Sequence, residues 1–108
     1  MILPTVYILE CADGTYYTGS TLDLERRLRQ HEHGIGARYT CKRLPVRLVH
    51  VEHFDEIDAA FERERQIHAW SHKKKRALVE GDLERIRKLS ECQNETHSAN
   101  KDSRFGLT

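Results

Sequence analysis

Two β-prone runs, Val6 to Glu10 and Thr15 to Gly19, are separated only by Cys11-Ala12-Asp13-Gly14. Asp-Gly is a strong signal for a tight turn between antiparallel strands, so the pair predicts a hairpin. That hairpin commits the chain to a sheet, which the remaining elements must flank. Three of the four tyrosines, Tyr7, Tyr16 and Tyr17, fall on or beside these strands. Packing accounts for aromatic residues on a pleated, half-buried surface. A phenol hydroxyl is also a hydrogen-bond donor and a potential proton acceptor. On the tyrosines alone both readings stay open.

Downstream, Asp23 is placed to cap a helix over Leu24 to His33 that stops at Gly34. Leu24, Leu28 and His31 form its inner stripe, with Arg27 at the edge. Gly34 to Thr40 reads as a loop, with glycines spaced too loosely for a dinucleotide fingerprint. Pro45 precedes a third strand, Val46 to Phe54. Asp58 is expected to cap a second helix reaching Trp70, and Ser71 a third, Lys73 to Glu80, closed by Gly81. Asp82 then caps a fourth with Leu83, Ile86 and Leu89 at three-residue steps. The predicted order is β-β-α-β-α-α-α: an α+β fold with a small three-stranded, mostly antiparallel sheet flanked by helices. From Cys92 onward the sequence turns polar and loses its apolar period, which predicts a disordered tail.

A chain of 108 residues is long enough for one core and not for two. No apolar run approaches the ~20 residues of a membrane helix, and Met1-Ile2-Leu3-Pro4 lacks the basic start and apolar stretch of a signal peptide. The expected compartment is the cytoplasm, with no membrane partner. Cys11, Cys41 and Cys92 form no CxxC pair and read as free thiols. His31 and His33 sit two apart, turning their rings about 200° from each other on a helix, so zinc is not expected. Net charge is +1 but unevenly spread. Residues 1–62 hold 7 basic and 10 acidic side chains, a net −3. Residues 63–76 hold 6 basic side chains against Glu64 alone, a net +5. Concentrated positive charge suits a polyanion; a solvated helix face is the alternative.

Glu64 is the most informative single residue. On the second helix it falls four after Ala60, three after Phe61 and three before Ile67, in the middle of what reads as an apolar stripe. A carboxylate there needs a partner, because burying an unpaired charge is expensive. Either a nearby arginine supplies it, or the carboxylate ligates a hard cation that keeps most of its waters.

Taken together, the strand tyrosines, the arginine ten residues after Tyr17, the inward glutamate and the basic window resemble the GIY-YIG endonuclease domain. Thr5-Val6-Tyr7 stands for its first tripeptide and Tyr17-Thr18-Gly19 for its second. The strings Gly36-Ala37-Arg38-Tyr39-Thr40, Pro45-Val46-Arg47-Leu48-Val49 and Gln66-Ile67-His68-Ala69-Trp70 look like the small stand-alone bacterial branch, the UPF0213-like proteins. The resemblance covers roughly residues 4–83, so residues 1–83 are expected to form the nuclease-like domain and 84–108 a C-terminal helix and tail. It departs at Glu80-Gly81-Asp82, where the family often has an asparagine, and at Thr15, where some members carry lysine.

The resemblance implies a metal-dependent endonuclease acting on DNA, with Tyr7, Tyr17, Arg27, Glu64 and His31 as the catalytic set. Glu64 would hold one Mg²⁺ or Mn²⁺ ion, and Arg27 would neutralise charge on the phosphoryl group. Tyr7 or Tyr17 would accept the proton of the attacking water, with His31 either a relay or a buried structural residue. Arg38, Lys42, Arg43, Lys73, Lys74, Lys75 and Arg76 are the expected DNA contacts. A module this small, burying only ~600–1,000 Å² on DNA, is expected to select by shape rather than by long sequence. The alternatives are a catalytically inactive nucleic-acid-binding module of the same fold and a structural partner protein.

Overall fold

The computed structural model describes residues 2–97, with side chains described as far as residue 91. Strands β1 (Thr5–Glu10), β2 (Tyr16–Thr21) and β3 (Arg47–His53) form one antiparallel sheet in the order β2-β1-β3. The Asp-Gly turn forms as its sequence predicts. Thr15 belongs to that turn, since its N–H and hydroxyl both donate to Asp13 Oδ1, at 3.1 and 2.6 Å, so β2 begins one residue later.

As the central strand, β1 is covered on both sides, and Val6, Tyr7, Ile8 and Leu9 have no solvent exposure. Its register against β2 pairs Tyr7 with Gly19 and Leu9 with Tyr17. Tyr7 and Tyr17 therefore share one face, while Val6, Ile8, Thr18 and Ser20 share the other. The second face is the apolar core. Val6 and Ile8 meet Ala60 and Ile67 of α3 (Ile57–His68) and Leu78 of α4 (His72–Glu80). Each fully buried Val or Ile side chain there contributes about 1.5–3 kcal/mol. The first face is covered by α1 (Leu24–Glu32), which brings His31 onto the tyrosines, followed by the single-turn α2 (Arg38–Cys41).

Asp23 accepts from Arg26 N–H and Ser71 from Lys74 N–H, so these two of the four expected caps form. The expected order of elements is kept, with four differences. The stretch expected to be all loop contains α2, a turn too short to show a period. Helix α3 starts at Ile57, with Glu56 in place of Asp58 at its cap, and ends at His68. Asp58 instead lies in the first turn, where its charge complements the helix dipole. Phe61 is 51% exposed, so the apolar stripe around Glu64 is narrower than its spacing suggests. Finally, α5 (Leu83–His97), capped by Asp82 accepting from Arg85 N–H, continues past Cys92. Glu and Gln are good helix formers, and a polar sequence propagates an established helix without an apolar stripe. The rest of the expected tail, residues 98–108, lies outside the described residues. Ile86 of α5 packs against the core. Among the described residues no helix is long and apolar enough to cross a membrane.

Candidate active site

The diagonal placement set by the register brings the Tyr7 and Tyr17 rings to 6.4 Å between centroids. Gly19 makes this possible. A Cβ at that position would stand 2.6 Å from the Tyr7 hydroxyl oxygen and 2.8 Å from Cζ, so the Tyr7 ring lies where any side chain would be. His31 reaches the same place from α1. Its Nε2 is 2.9 Å from the Tyr7 hydroxyl and its Nδ1 is 2.9 Å from Thr40 Oγ1. Gly36 leaves room for that ring, since a Cβ there would approach Nδ1 to 2.5 Å.

The direction of this chain follows from its far end. Thr40 Oγ1 donates its own proton to the Ala37 carbonyl at 3.2 Å, so it accepts from Nδ1–H of His31. Nε2 is then the unprotonated nitrogen and accepts from the Tyr7 O–H. All three side chains are fully buried. Burial pushes the Tyr7 phenol well above its ordinary value, the Tyr17 phenol adds to this, and the Arg27 guanidinium opposes it. Burial likewise raises Tyr17, against Arg27. His31 is held below the usual imidazole value by burial and then by Arg27, which keeps it neutral.

Arg27 lies one turn before His31, half-buried. It donates through one terminal nitrogen to Gln30 Oε1 at 3.2 Å and to the Gly36 carbonyl at 3.5 Å. Its Nε is buried and, among the described residues, without a partner. Glu64 comes from the opposite face of the sheet and meets the others at the outer edge of β2. There the Ser20 hydroxyl donates to its Oε1 at 2.5 Å. Its charge is felt at both phenols, opposite in sign to that of Arg27. Among the described residues Glu64 has no cationic partner within ion-pair distance. It lines a groove of about 640 Å³ with Phe61, Arg65, His68 and Ala69. The arrangement is thus two phenols, one neutral imidazole, one guanidinium and one open carboxylate at a single sheet edge.

A family model of the GIY-YIG catalytic domain matches residues 3–77. The chain belongs to the GIY-YIG family. It is 52% identical over 75 residues to a UPF0213 protein of Haloquadratum walsbyi, covering 69% of this chain and 84% of that one. It is 53% identical over 74 residues to a UPF0213 protein of Natronomonas pharaonis, covering 68% and 87% respectively. A solution NMR structure of a protein from E. faecalis, 34% identical, matches 75% of this chain and 86% of its own with a TM-score of 0.53. GIY-YIG domains make up a nuclease family, which places phosphodiester bonds of nucleic acid as the class of substrate. The first GIY-YIG tripeptide ends here in Tyr7 and the second in Gly19, the two residues that lie against each other.

The basic residues separate into distinct environments. Arg38, Lys42 and Lys73 are exposed and, among the described residues, make no ion pair. Lys75 is half-buried and lines a pocket with Tyr17, and burial lowers its pKa. Arg43 is bound to Asp13 at 3.0 Å and to the Tyr39 carbonyl at 2.9 Å, its guanidinium 3.8 Å above the Tyr39 ring. Arg76 pairs with Glu80. Lys74 is only 7% exposed, its ammonium 4.2 Å from the Trp70 ring centre, and so it does not stand with the exposed basic residues. Sequence reasoning missed Thr40 and Ser20, which orient His31 and Glu64. The strand period places Ser20 on the α3 face with Val6, the one signal that could have found it.

The family's nucleases are generally metal-dependent. Among the described residues there is no cluster of three His, Cys, Asp or Glu side chains. The donor present is one hard carboxylate, with Oε1 engaged by Ser20. This suits a cation that binds through one or two carboxylates and retains several waters.

Proposed function

We propose that this chain hydrolyses DNA phosphodiester bonds in a divalent-metal-dependent reaction, cutting within the strand and choosing its substrate by shape. The observation that carries the reading is the directed contact from Tyr7 to His31, beside an arginine and an unpaired carboxylate. A phenol raised by burial is a poor base alone. Joined to a neutral imidazole it passes its proton to Nε2 as it takes one from water, so no free phenolate has to form. Thr40 holds the tautomer that makes Nε2 the acceptor. Arg27 directs its guanidinium charge toward the same place, where it would offset negative charge on the phosphoryl oxygens. Tyr17, with its hydroxyl under the same Arg27 field, orients the water. Glu64 would hold Mg²⁺ or Mn²⁺, which when bound supplies positive charge to the phosphoryl and leaving oxygens.

The test is nicking of supercoiled DNA with Mg²⁺ or Mn²⁺, wild type beside Glu64→Gln. The substitution keeps volume and the Ser20 contact but removes the carboxylate charge. Cleavage should fall by about 10²–10⁴ while the fold and DNA affinity persist. Equal turnover by the two proteins would remove Glu64 from the chemistry. Tight DNA binding by an inert wild type would favour the binding-module reading.

A further inference from the structure

Beside the site, along the outer edge of β2, lies a pocket of about 270 Å³ lined by Tyr16, Tyr17, Thr18, Tyr39, His68 and Lys75. Nothing in the hydrolytic scheme uses it beyond sharing Tyr17. We infer that it receives one unpaired nucleobase of the DNA strand, next to the phosphate under attack. This rests on the nuclease reading and extends it to the kind of DNA selected.

Three observations support a base as the occupant. The first is the character of the walls, three aromatic rings that are already immobilised. Tyr16 stacks on His72 at 4.7 Å with 16° between planes, and His72 Nε2 lies 3.0 Å from the Gly14 carbonyl. Tyr39 stacks on Tyr17 at 6.1 Å and 24°, under the locked guanidinium of Arg43. Rigid aromatic walls are a stacking platform for a flat π-system, whereas a phosphate wants convergent donors. The second is Thr18. The residue lines the pocket and is 3% exposed, and its buried Oγ1 has no hydrogen-bond partner among the described residues. Such orphans ask for an explanation, and a base edge offers both donors and acceptors. The third is continuity. His68 lines both this pocket and the groove of Glu64, so a strand crossing Glu64 leads its neighbouring nucleotide to the pocket mouth, where Lys75 meets the backbone. A volume below the ~300–1,000 Å³ of drug-sized sites takes one base and excludes a base pair. A base inside an intact duplex is stacked and cannot enter without extrusion, so unpaired positions are favoured.

The experiment uses a duplex carrying a single extrahelical 2-aminopurine and the same duplex fully paired, in EDTA so that no cutting intervenes. Wild type should bind the bulged duplex about tenfold tighter, with the probe's emission quenched by stacking on tyrosine. Tyr39→Leu should bring the ratio of the two affinities close to one. Thr18→Val keeps shape and should reduce the ratio severalfold while raising the melting temperature, because an unsatisfied buried hydroxyl is removed. Equal wild-type affinities for the two duplexes, or a preference that survives both substitutions, would overturn the inference. Nicking of plasmid by wild type in Mg²⁺ or Mn²⁺ separates it from the reading beneath. Cutting without bulge preference sinks this inference alone, and bulge preference without cutting supports it while sinking hydrolysis.

Discussion

Along β1, alternate residues enter two buried layers that differ in what holds them. Val6 and Ile8 join Ala60, Ile67 and Leu78, where contact is non-directional and burial itself stabilises. Tyr7, one residue between them, hydrogen-bonds to His31 at 2.9 Å, and His31 in turn to Thr40 at 2.9 Å. Both layers are buried. Only the second fixes where a proton sits, and only there does Gly19 admit an aromatic ring against the backbone. The apolar layer makes the sheet, and the polar layer uses the sheet's rigidity to aim a hydroxyl.

The largest contrast comes from changing neighbours on the strand. Tyr7→Phe keeps the ring and removes the proton-passing hydroxyl, so turnover should drop by about 10²–10⁴. Losing one hydrogen bond and leaving Nε2 unpaired should destabilise by about 1–3 kcal/mol. Ile8→Ala should destabilise more, by about 2–5 kcal/mol, yet leave turnover per folded molecule near wild type. Melting curves with nicking rates below both transitions separate the two. A Tyr7→Phe protein with wild-type turnover would make both faces mere packing.

Gly19→Ala probes the boundary between the layers. The new methyl must displace the Tyr7 hydroxyl, which lies 2.6 Å from where it would stand. Overpacking of this kind costs about 1–3 kcal/mol, and the Tyr7–His31 contact should break with it. Activity should therefore fall in the folded protein as well. Full activity would show that the Tyr7 ring moves aside without consequence.

Much of this contrast was legible in the sequence because its signals are local. The Asp-Gly turn, the caps at Asp23 and Ser71, and the strand alternation each depend on residues within a few positions. Tyr7, Tyr17, Arg27, His31 and Glu64 could be named together because the chain resembles the GIY-YIG domain at those positions. What could not be read depends on contacts far apart in the chain. Thr40 orients His31 across nine residues that end in a single helical turn, with no period to mark it. Phe61 sits at core spacing but faces solvent, since α3 meets the sheet through Ala60 and Ile67. Lys74 looks like its neighbours in sequence and differs only because Trp70 folds under it.

Acid titration should touch the polar layer through His31. Its folded pKa lies below the ordinary value of 6.5, because burial and Arg27 disfavour the imidazolium. Below that value the unfolded chain binds a proton that the folded chain refuses. The contribution is full above 6.5 and is lost as pH falls through the lowered folded value. One such group steepens the loss by at most about 1.4 kcal/mol per pH unit. His31→Gln should make the stability profile shallower in that window, measured by denaturant midpoint against pH. An unchanged slope would mean that the imidazole protonates freely in the fold, and the directed chain from Tyr7 would not hold.

The smallest expected effect sets two adjacent lysines against each other. Lys73 is exposed, whereas Lys74 lies against Trp70 on the apolar side. Each phosphate contact contributes about 0.9 to the slope of log affinity against log salt on duplex DNA. Lys73→Gln should flatten that slope by about 0.9, a change of roughly threefold in affinity ratio between 50 and 200 mM salt. Lys74→Gln should leave the slope alone and lower stability instead, since it removes a cation from the face of Trp70 without touching DNA. Affinity against salt for both variants on one duplex, beside their melting temperatures, decides it. Equal flattening by the two would mean that Lys74 leaves Trp70 when DNA binds, and the apolar layer would then end at Ile67 and Leu78.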